Sequence, residues 1–119
     1  MQRHEEILRK LSIRDDEYVL RLLANERANL EQSALDTKTH TLVRLAAVIA
    51  VDAATPLFLW TIDAALRHGA SFDEIVGTLI AVTPAVGSNA VVAAAPKVAV
   101  ALGYDIDFSL ELVDGGDRA

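Results

Sequence analysis

The sequence predicts an all-α protein, a compact bundle of about six helices, on two observations. Apolar residues recur at the three- and four-residue spacing of amphipathic helices along most of the chain. Capping residues and glycines divide these stretches at regular intervals. The 119 residues are 52% hydrophobic but only 5% aromatic, which indicates an aliphatic core. We expect a single domain with N-terminal helices (1–34), a helical core (35–103) and an acidic C-terminal tail (104–119).

The N-terminal part predicts two amphipathic helices. Apolar residues at helical spacing place the first over residues 3–12 and the second over residues 15–30. Asp15, Asp16 and Glu17 stand where the second helix begins, and negative charge there is favourable for the helix dipole.

The next two predicted helices contain the most apolar part of the sequence. The third begins after Asp36, whose carboxylate would cap it, and runs to about Ile49. The fourth covers residues 56–68, because Thr55 is a good N-cap and proline is tolerated in a first helical turn. Gly69 then supplies a left-handed residue at its C-terminus.

The last two predicted helices follow a capping box and a glycine. Ser71 and Glu74 have the Ser-x-x-Glu spacing that begins the fifth helix, which ends at Gly87. The sixth covers residues 90–102 and is followed by a glycine. Pro96 lies inside it and removes one ladder hydrogen bond, so we expect a kink or a restart between residues 93 and 96.

Charged residues are unevenly distributed. Residues 1–40 hold 15 of them, residues 41–103 hold 7 and residues 104–119 hold 6, so the middle of the chain forms the core. Asp52 and the break at Thr55 interrupt the long apolar stretch, so no membrane span is expected. In the tail, apolar and polar residues alternate from Ile106 to Leu112, which suits an extended arm packed on a neighbouring chain.

Composition excludes several classes of function. A net charge of −6 argues against nucleic acid and against anionic membrane surfaces as partners. The absence of cysteine excludes disulfides, thiol nucleophiles and thiolate metal sites. The charged N-terminus is unlike a secretory signal, so a cytoplasmic location is expected. The aliphatic content exceeds what one small core buries, which favours a homo-oligomer.

Three short motifs in residues 35–103 resemble those of a known family. They are Leu35-Asp36-x-Lys38-Thr39 before an alanine-rich helix, Ala65-Leu66-Arg67-His68-Gly69-Ala70-Ser71-x-Asp73-Glu74-Ile75, and Gly87 before a second alanine-rich helix. Their order and spacing are similar to the carboxymuconolactone decarboxylase family, which includes the alkylhydroperoxidase-like proteins. The resemblance implies an all-helical homotrimer or homohexamer.

The chain lacks the reactive residues that this resemblance would lead one to expect. Where the peroxidase branch has Cys-x-x-Cys and then histidine, this sequence has Ala54, Leu57 and Thr61. The decarboxylase branch also has a histidine at the position of Thr61, and an upstream glutamate of the peroxidase branch falls near Thr41. We therefore expect no thiol-dependent peroxidase activity, no cofactor and a degenerate site.

Asp52 is the candidate catalytic residue that remains. Its apolar neighbours in the sequence predict partial desolvation, and a carboxylic acid in an apolar cleft is a candidate for acid or base chemistry. The alternatives are that Asp52 caps the break between the third and fourth predicted helices through the backbone N–H of Ala54 or Thr55, or that it contacts another subunit.

Several other residues are candidates to line a small-molecule pocket: Thr41, Phe58, Trp60, Thr61, Asp63 and Asn89. The two aromatic rings would wall an apolar pocket or belong to the core. Asp63 would bind a substrate hydroxyl or face solvent, and Asn89 would cap the sixth helix. Lys97 would reach solvent or pair with Asp52 or Asp63; beside Asp52 in a cleft, it could bind a carboxylated ligand.

Three functions stay open at this point. The first is a non-catalytic helical oligomer, with or without a pocket for a small carboxylated ligand. The second is an enzyme that performs proton transfer or decarboxylation on a small carboxylated lactone, with Asp52 as acid or base. The third is a purely structural helical assembly. No metal site is expected, because no two of His4, His40 and His68 have ligand spacing on one helix.

Overall fold

The computed structural model describes residues 1–104, which form helices with no strand among them. The helices are α1 (Arg3–Ser12), α2 (Asp16–Ala24), α3 (Glu26–Ser33), α4 (Thr37–Ala50), α5 (Thr55–Arg67), α6 (Phe72–Val86) and α7 (Ser88–Ala101). The prediction of an all-α protein is confirmed for this part of the chain. The predicted alternation after Tyr104 lies outside the described residues.

The chain divides into two units, which are considered separately. The first is Met1–Asp36 and contains α1 to α3; the second begins at Thr37 and contains α4 to α7. The division falls two residues after the predicted limit of the N-terminal helices. The expectation of a single domain stays a prediction.

The second predicted helix is interrupted at Asn25, so the described part of the chain has seven helices rather than about six. Asn25 has an extended backbone (φ −123°, ψ 103°) and stands between α2 and α3. Its Oδ1 accepts the N–H of Ala28 at 2.9 Å, and its own N–H donates to the carbonyl of Arg21 at 3.0 Å. The short polar side chain thus ends one helix and caps the next.

Polar contacts hold the first unit together. Tyr18 and Ala28 are its buried apolar residues. The Tyr18 hydroxyl lies 2.8 Å from Oε1 of Gln32, and the Arg3 guanidinium donates to the carbonyl of Gln32 at 2.6 Å. These bonds tie α1 and α2 to the end of α3.

An aliphatic core fills the second unit, where α4 to α7 pack against one another. Its members recur at helical spacing and converge from all four helices and the turn before α6. They are Leu45, Val48, Ile49, Phe58, Ile62, Ala65, Ala70, Ile75, Leu79, Ala94 and Val98.

Five helices of the described residues have a left-handed residue after the last turn, and α3 has it one position earlier than the others, at Ala34 (φ 57°). Gly69 (φ 94°) follows α5, as predicted, and Gly103 (φ 87°) follows α7. The same position after α1 and α4 holds Arg14 (φ 52°) and Asp52 (φ 50°), where a side chain makes this conformation less favourable.

The helix starts in the second unit follow the predictions in part. Ser71 and Glu74 form the predicted capping box, with bonds of 3.0 and 2.9 Å. However, α5 begins at Thr55, and its N-cap is Ala54, one residue earlier than predicted. Similarly, α7 begins at Ser88, so the expected start at residue 90 is wrong.

A single helix, α7, runs through Pro96. The predicted restart does not occur. Pro96 is exposed, so the carbonyl of Val92 that loses its helical partner lies on the solvent side of α7. Across residues 1–104, no helix is long and apolar enough to cross a membrane.

Candidate functional site

The candidate site centres on the linker between α4 and α5, where Asp52 ends α4. The N–H of Asp52 donates to the carbonyl of Ile49 at 3.2 Å, and the N–H of Ala53 donates to that of Val48 at 3.2 Å. This pair of bonds requires the left-handed conformation of Asp52, which aspartate adopts more readily than most residues. The backbone conformation of the linker therefore determines the position of the Asp52 side chain.

Lys97 reaches across from α7 to the same linker. Its Nζ lies 3.1 Å from Oδ1 of Asp52 and 2.9 Å from the carbonyl oxygen of Ala53. The same ammonium stands 5.3 Å from the centroid of the Phe58 ring, a cation–π distance. One lysine thus joins α7, the linker and the first turn of α5.

The two partners of this ion pair differ in exposure. The side chain of Lys97 is 25% exposed, whereas that of Asp52 is 62% exposed. Asp52 is therefore covered only in part, and less than its apolar neighbours in the sequence suggest. Because Lys97 is the more buried partner, contacts other than the one with Asp52 mainly hold its side chain in place. The carboxylate of Asp52 is exposed, so it can move away from Lys97 and stay hydrated.

The lysine retains capacity for a further ligand atom. An ammonium has three N–H donors. Among residues 1–104, two of them have acceptors, on Asp52 and Ala53. One donor is therefore left for an additional acceptor, such as a carboxylate oxygen.

Asp52 does not cap α5. The N-cap of that helix is Ala54, and no side chain accepts a hydrogen bond from its first turn. The alternative reading of the sequence, a cap through the N–H of Ala54 or Thr55, is wrong because the carboxylate is turned toward Lys97 instead.

The aromatic residues of α5 do not share a pocket. Phe58 is fully buried in the core, but Trp60 is 73% exposed. Two positions along a helix are separated by about 200° of rotation, so the two rings lie on nearly opposite faces. The expectation that they wall one apolar pocket is wrong.

Thr41 and Thr61, the threonines at the positions that the resemblance picks out, each form a hydrogen bond within their own helix. The Thr61 hydroxyl donates to the carbonyl of Leu57 at 2.7 Å, and the buried Thr41 hydroxyl donates to that of Lys38 at 2.7 Å. The proton of each hydroxyl is thus directed to a backbone carbonyl. This arrangement does not activate either oxygen as a nucleophile.

The two remaining candidates lie apart from Lys97. Asp63 accepts the Nε–H of Arg67 at 3.0 Å, an exposed pair one helical turn apart on α5. Asn89 is exposed in the first turn of α7, where Gly87 is the N-cap, so the predicted cap by Asn89 is wrong. The structure therefore brings together Asp52, Lys97 and Phe58, and leaves the other candidates outside this group.

The first unit contains a shallow, open depression of about 230 Å³. It is lined by Lys10, Asp15, Glu17, Tyr18 and Arg21. The ammonium of Lys10 lies 5.0 Å from the centroid of the Tyr18 ring. Two acidic and two basic side chains line it, so it favours no single ligand charge.

Neither metal chemistry nor a known relative identifies the site. Within residues 1–104, no three histidine, cysteine, aspartate or glutamate side chains are grouped so that they could hold a metal ion. Comparisons of the chain with protein-family models, with curated proteins and with solved structures gave no match.

Proposed function

We propose that this protein is a non-catalytic helical homo-oligomer, similar to carboxymuconolactone decarboxylases but with a degenerate active site. The proposal rests on the side chains that stand where the resembling family has its reactive groups. Ala54 and Leu57 have no reactive group, and the hydroxyls of Thr41 and Thr61 are bonded to backbone carbonyls.

The carboxylate of Asp52 does not replace the missing reactive groups. General acid or base catalysis requires a titratable side chain in reach of the substrate and poised in its environment. Asp52 is exposed and paired with Lys97. The contacts of this pair serve the packing of the α4–α5 linker against α7.

Self-association accounts for the exposed apolar side chains of the second unit. Trp60, Ile80 and Val92 are each about 70% exposed, and many smaller apolar residues are exposed beside them. Exposed apolar patches of this kind mark interaction surfaces. The resemblance favours a homotrimer or a homohexamer.

Turnover of small unsaturated lactone acids tests the proposal. We expect the wild type to convert none of them above the buffer rate, and Asp52→Asn to leave the melting temperature nearly unchanged. Asparagine adopts the left-handed conformation as readily as aspartate. Wild-type turnover that falls by roughly 10²- to 10⁴-fold in Asp52→Asn would instead establish an enzyme in which Asp52 is the acid or base.

A second candidate function is the binding of a small carboxylated ligand at Lys97. The free donor of its ammonium favours this function, since a carboxylate oxygen would satisfy it. NMR titration with the same lactone acids is the test. Binding that is lost in Lys97→Met and kept in Arg67→Met, which removes an exposed cation of α5, would establish this site.

A further inference from the structure

The ion pair between Asp52 and Lys97 joins two side chains that are held to different degrees. The ammonium of Lys97 keeps contacts that do not involve Asp52: it donates to the carbonyl oxygen of Ala53 at 2.9 Å and lies 5.3 Å from the centroid of the buried Phe58 ring. Among residues 1–104, the Asp52 carboxylate is held by its 3.1 Å bond to this ammonium alone. If Asp52 turns away, the lysine therefore stays in place.

The backbone of Asp52 does not depend on the ion pair. Bonds from the linker to the carbonyls of Ile49 and Val48 maintain its left-handed conformation (φ 50°). The carboxylate can therefore turn into solvent by rotation about the side-chain bonds alone, and the side chain is already 62% exposed. A pair with one partner in water is weak, because water competes for the exposed group.

A ligand carboxylate on Lys97 would compete with Asp52. If both carboxylates accepted from one ammonium, their nearest oxygens would stand roughly 5 Å apart, and one positive charge does not neutralise two negative ones. If Asp52 leaves, the incoming carboxylate has two N–H donors available, the unused one and the vacated one, while Ala53 keeps the third. Exchange avoids the repulsion that addition would cause.

We propose that Asp52 is a built-in competitor at Lys97: a small carboxylate binds this lysine by displacing the Asp52 carboxylate, which turns into solvent. The inference rests on carboxylate binding at Lys97, the second candidate function above, and adds its regulation. The ion pair lowers the apparent affinity in proportion to the fraction of molecules in which Lys97 is free of Asp52. A carboxylate then occupies the site only at high concentration, or when it makes further contacts with the protein.

Removal of the competing carboxylate tests the inference. Asp52→Asn keeps a residue that tolerates the left-handed conformation, and Asp52→Gly removes the side chain where glycine is favoured. In NMR titrations with acetate and the same lactone acids, followed at the amides of Ala53 and Lys97, each variant should bind about two- to sixfold more tightly than the wild type. Asp63→Asn, the matched control, removes the same charge from the exposed pair on α5 and should leave this affinity unchanged.

A second measurement distinguishes exchange from addition. The chemical shift of the Asp52 carboxyl carbon reports whether the group is paired, and Lys97→Met, which keeps an unbranched side chain, gives its unpaired value. Saturation of the wild type with the bound acid should move the signal to that value. A signal that stays at its paired value while the acid binds would show addition at the unused donor and would overturn the inference.

The outcomes separate this inference from the function on which it rests. Wild-type binding that is equally tight in Asp52→Asn and Asp52→Gly would overturn the competition alone. Binding by none of the three proteins, at unchanged helix content in circular dichroism, would overturn carboxylate binding at Lys97 and the competition with it. Tighter binding in both variants that is lost again when Lys97→Met is added would support both.

Discussion

The two units of this chain are stabilised by different means. Residues 1–36 carry 14 charged side chains and bury Tyr18 and Ala28, whereas residues 37–104 carry 8 and bury eleven clustered apolar residues. In the first unit, caps and side-chain hydrogen bonds fix the helices. In the second, apolar burial does so. The same kind of substitution should therefore have different effects in the two units.

The largest expected effect is in the core of the second unit. Phe58→Ala removes a fully buried ring, so the free energy of unfolding should fall by about 3–5 kcal/mol. Trp60→Ala removes a larger ring that is mostly exposed in the single chain, so in the dissociated chain it should change that free energy by less than about 1 kcal/mol. Urea unfolding of both variants, at concentrations where the chain is monomeric, measures the contrast. Equal losses would contradict the exposure of Trp60 in the single chain.

A smaller effect is expected at the cap of the first unit. Asn25→Ala removes the side chain that accepts the N–H of Ala28, at a cost of about 1 kcal/mol in the stability of α3. Asn25→Asp retains an acceptor and is the matched control. Amide hydrogen exchange of residues 28–30 measures the change. Equal protection in the alanine variant and the wild type would show that the cap does not stabilise α3.

The smallest expected effect depends on pH and concerns Glu74. The N–H of Ser71 and the ammonium of Lys38, at 2.9 Å, lower the pKa of Glu74 below its usual value of 4.5. A lowered pKa in the folded protein stabilises it above about pH 4.5, and this stabilisation is lost as pH falls through the lowered pKa.

Glu74→Gln provides the comparison. It removes the titration but keeps an oxygen that can accept the Ser71 N–H. Between pH 7 and pH 3, the wild type should lose more unfolding free energy than Glu74→Gln, as urea unfolding at each pH would show. Equal losses would contradict the role of the Glu74 carboxylate.

Helix positions could be predicted where a local signal marks the ends. The Ser71–Glu74 capping box and Gly69 are such signals, and both act as predicted. The break at Asn25 is not predictable from periodicity, because apolar residues continue on both sides of it, from Leu22 to Leu30. The asparagine itself, a favoured N-cap residue, is the feature of the sequence that indicates a break there.

The site could be predicted only in part. Leu57, Phe58, Leu59 and Trp60 are consecutive apolar residues, so periodicity does not show which of them faces the core. The Asp52–Lys97 pair joins residues 45 apart in sequence. Residue type suggested this pairing, but only tertiary packing brings the two side chains together.

The connection between α6 and α7 also affects how the chain folds. Gly87 alone separates the two helices, and a loop this short costs little entropy to close. We expect this hairpin to form early, before contacts between residues distant in sequence. Its apolar outer surface would then be exposed on incompletely folded chains. The yield of refolded protein should consequently fall as the chain concentration during refolding is raised.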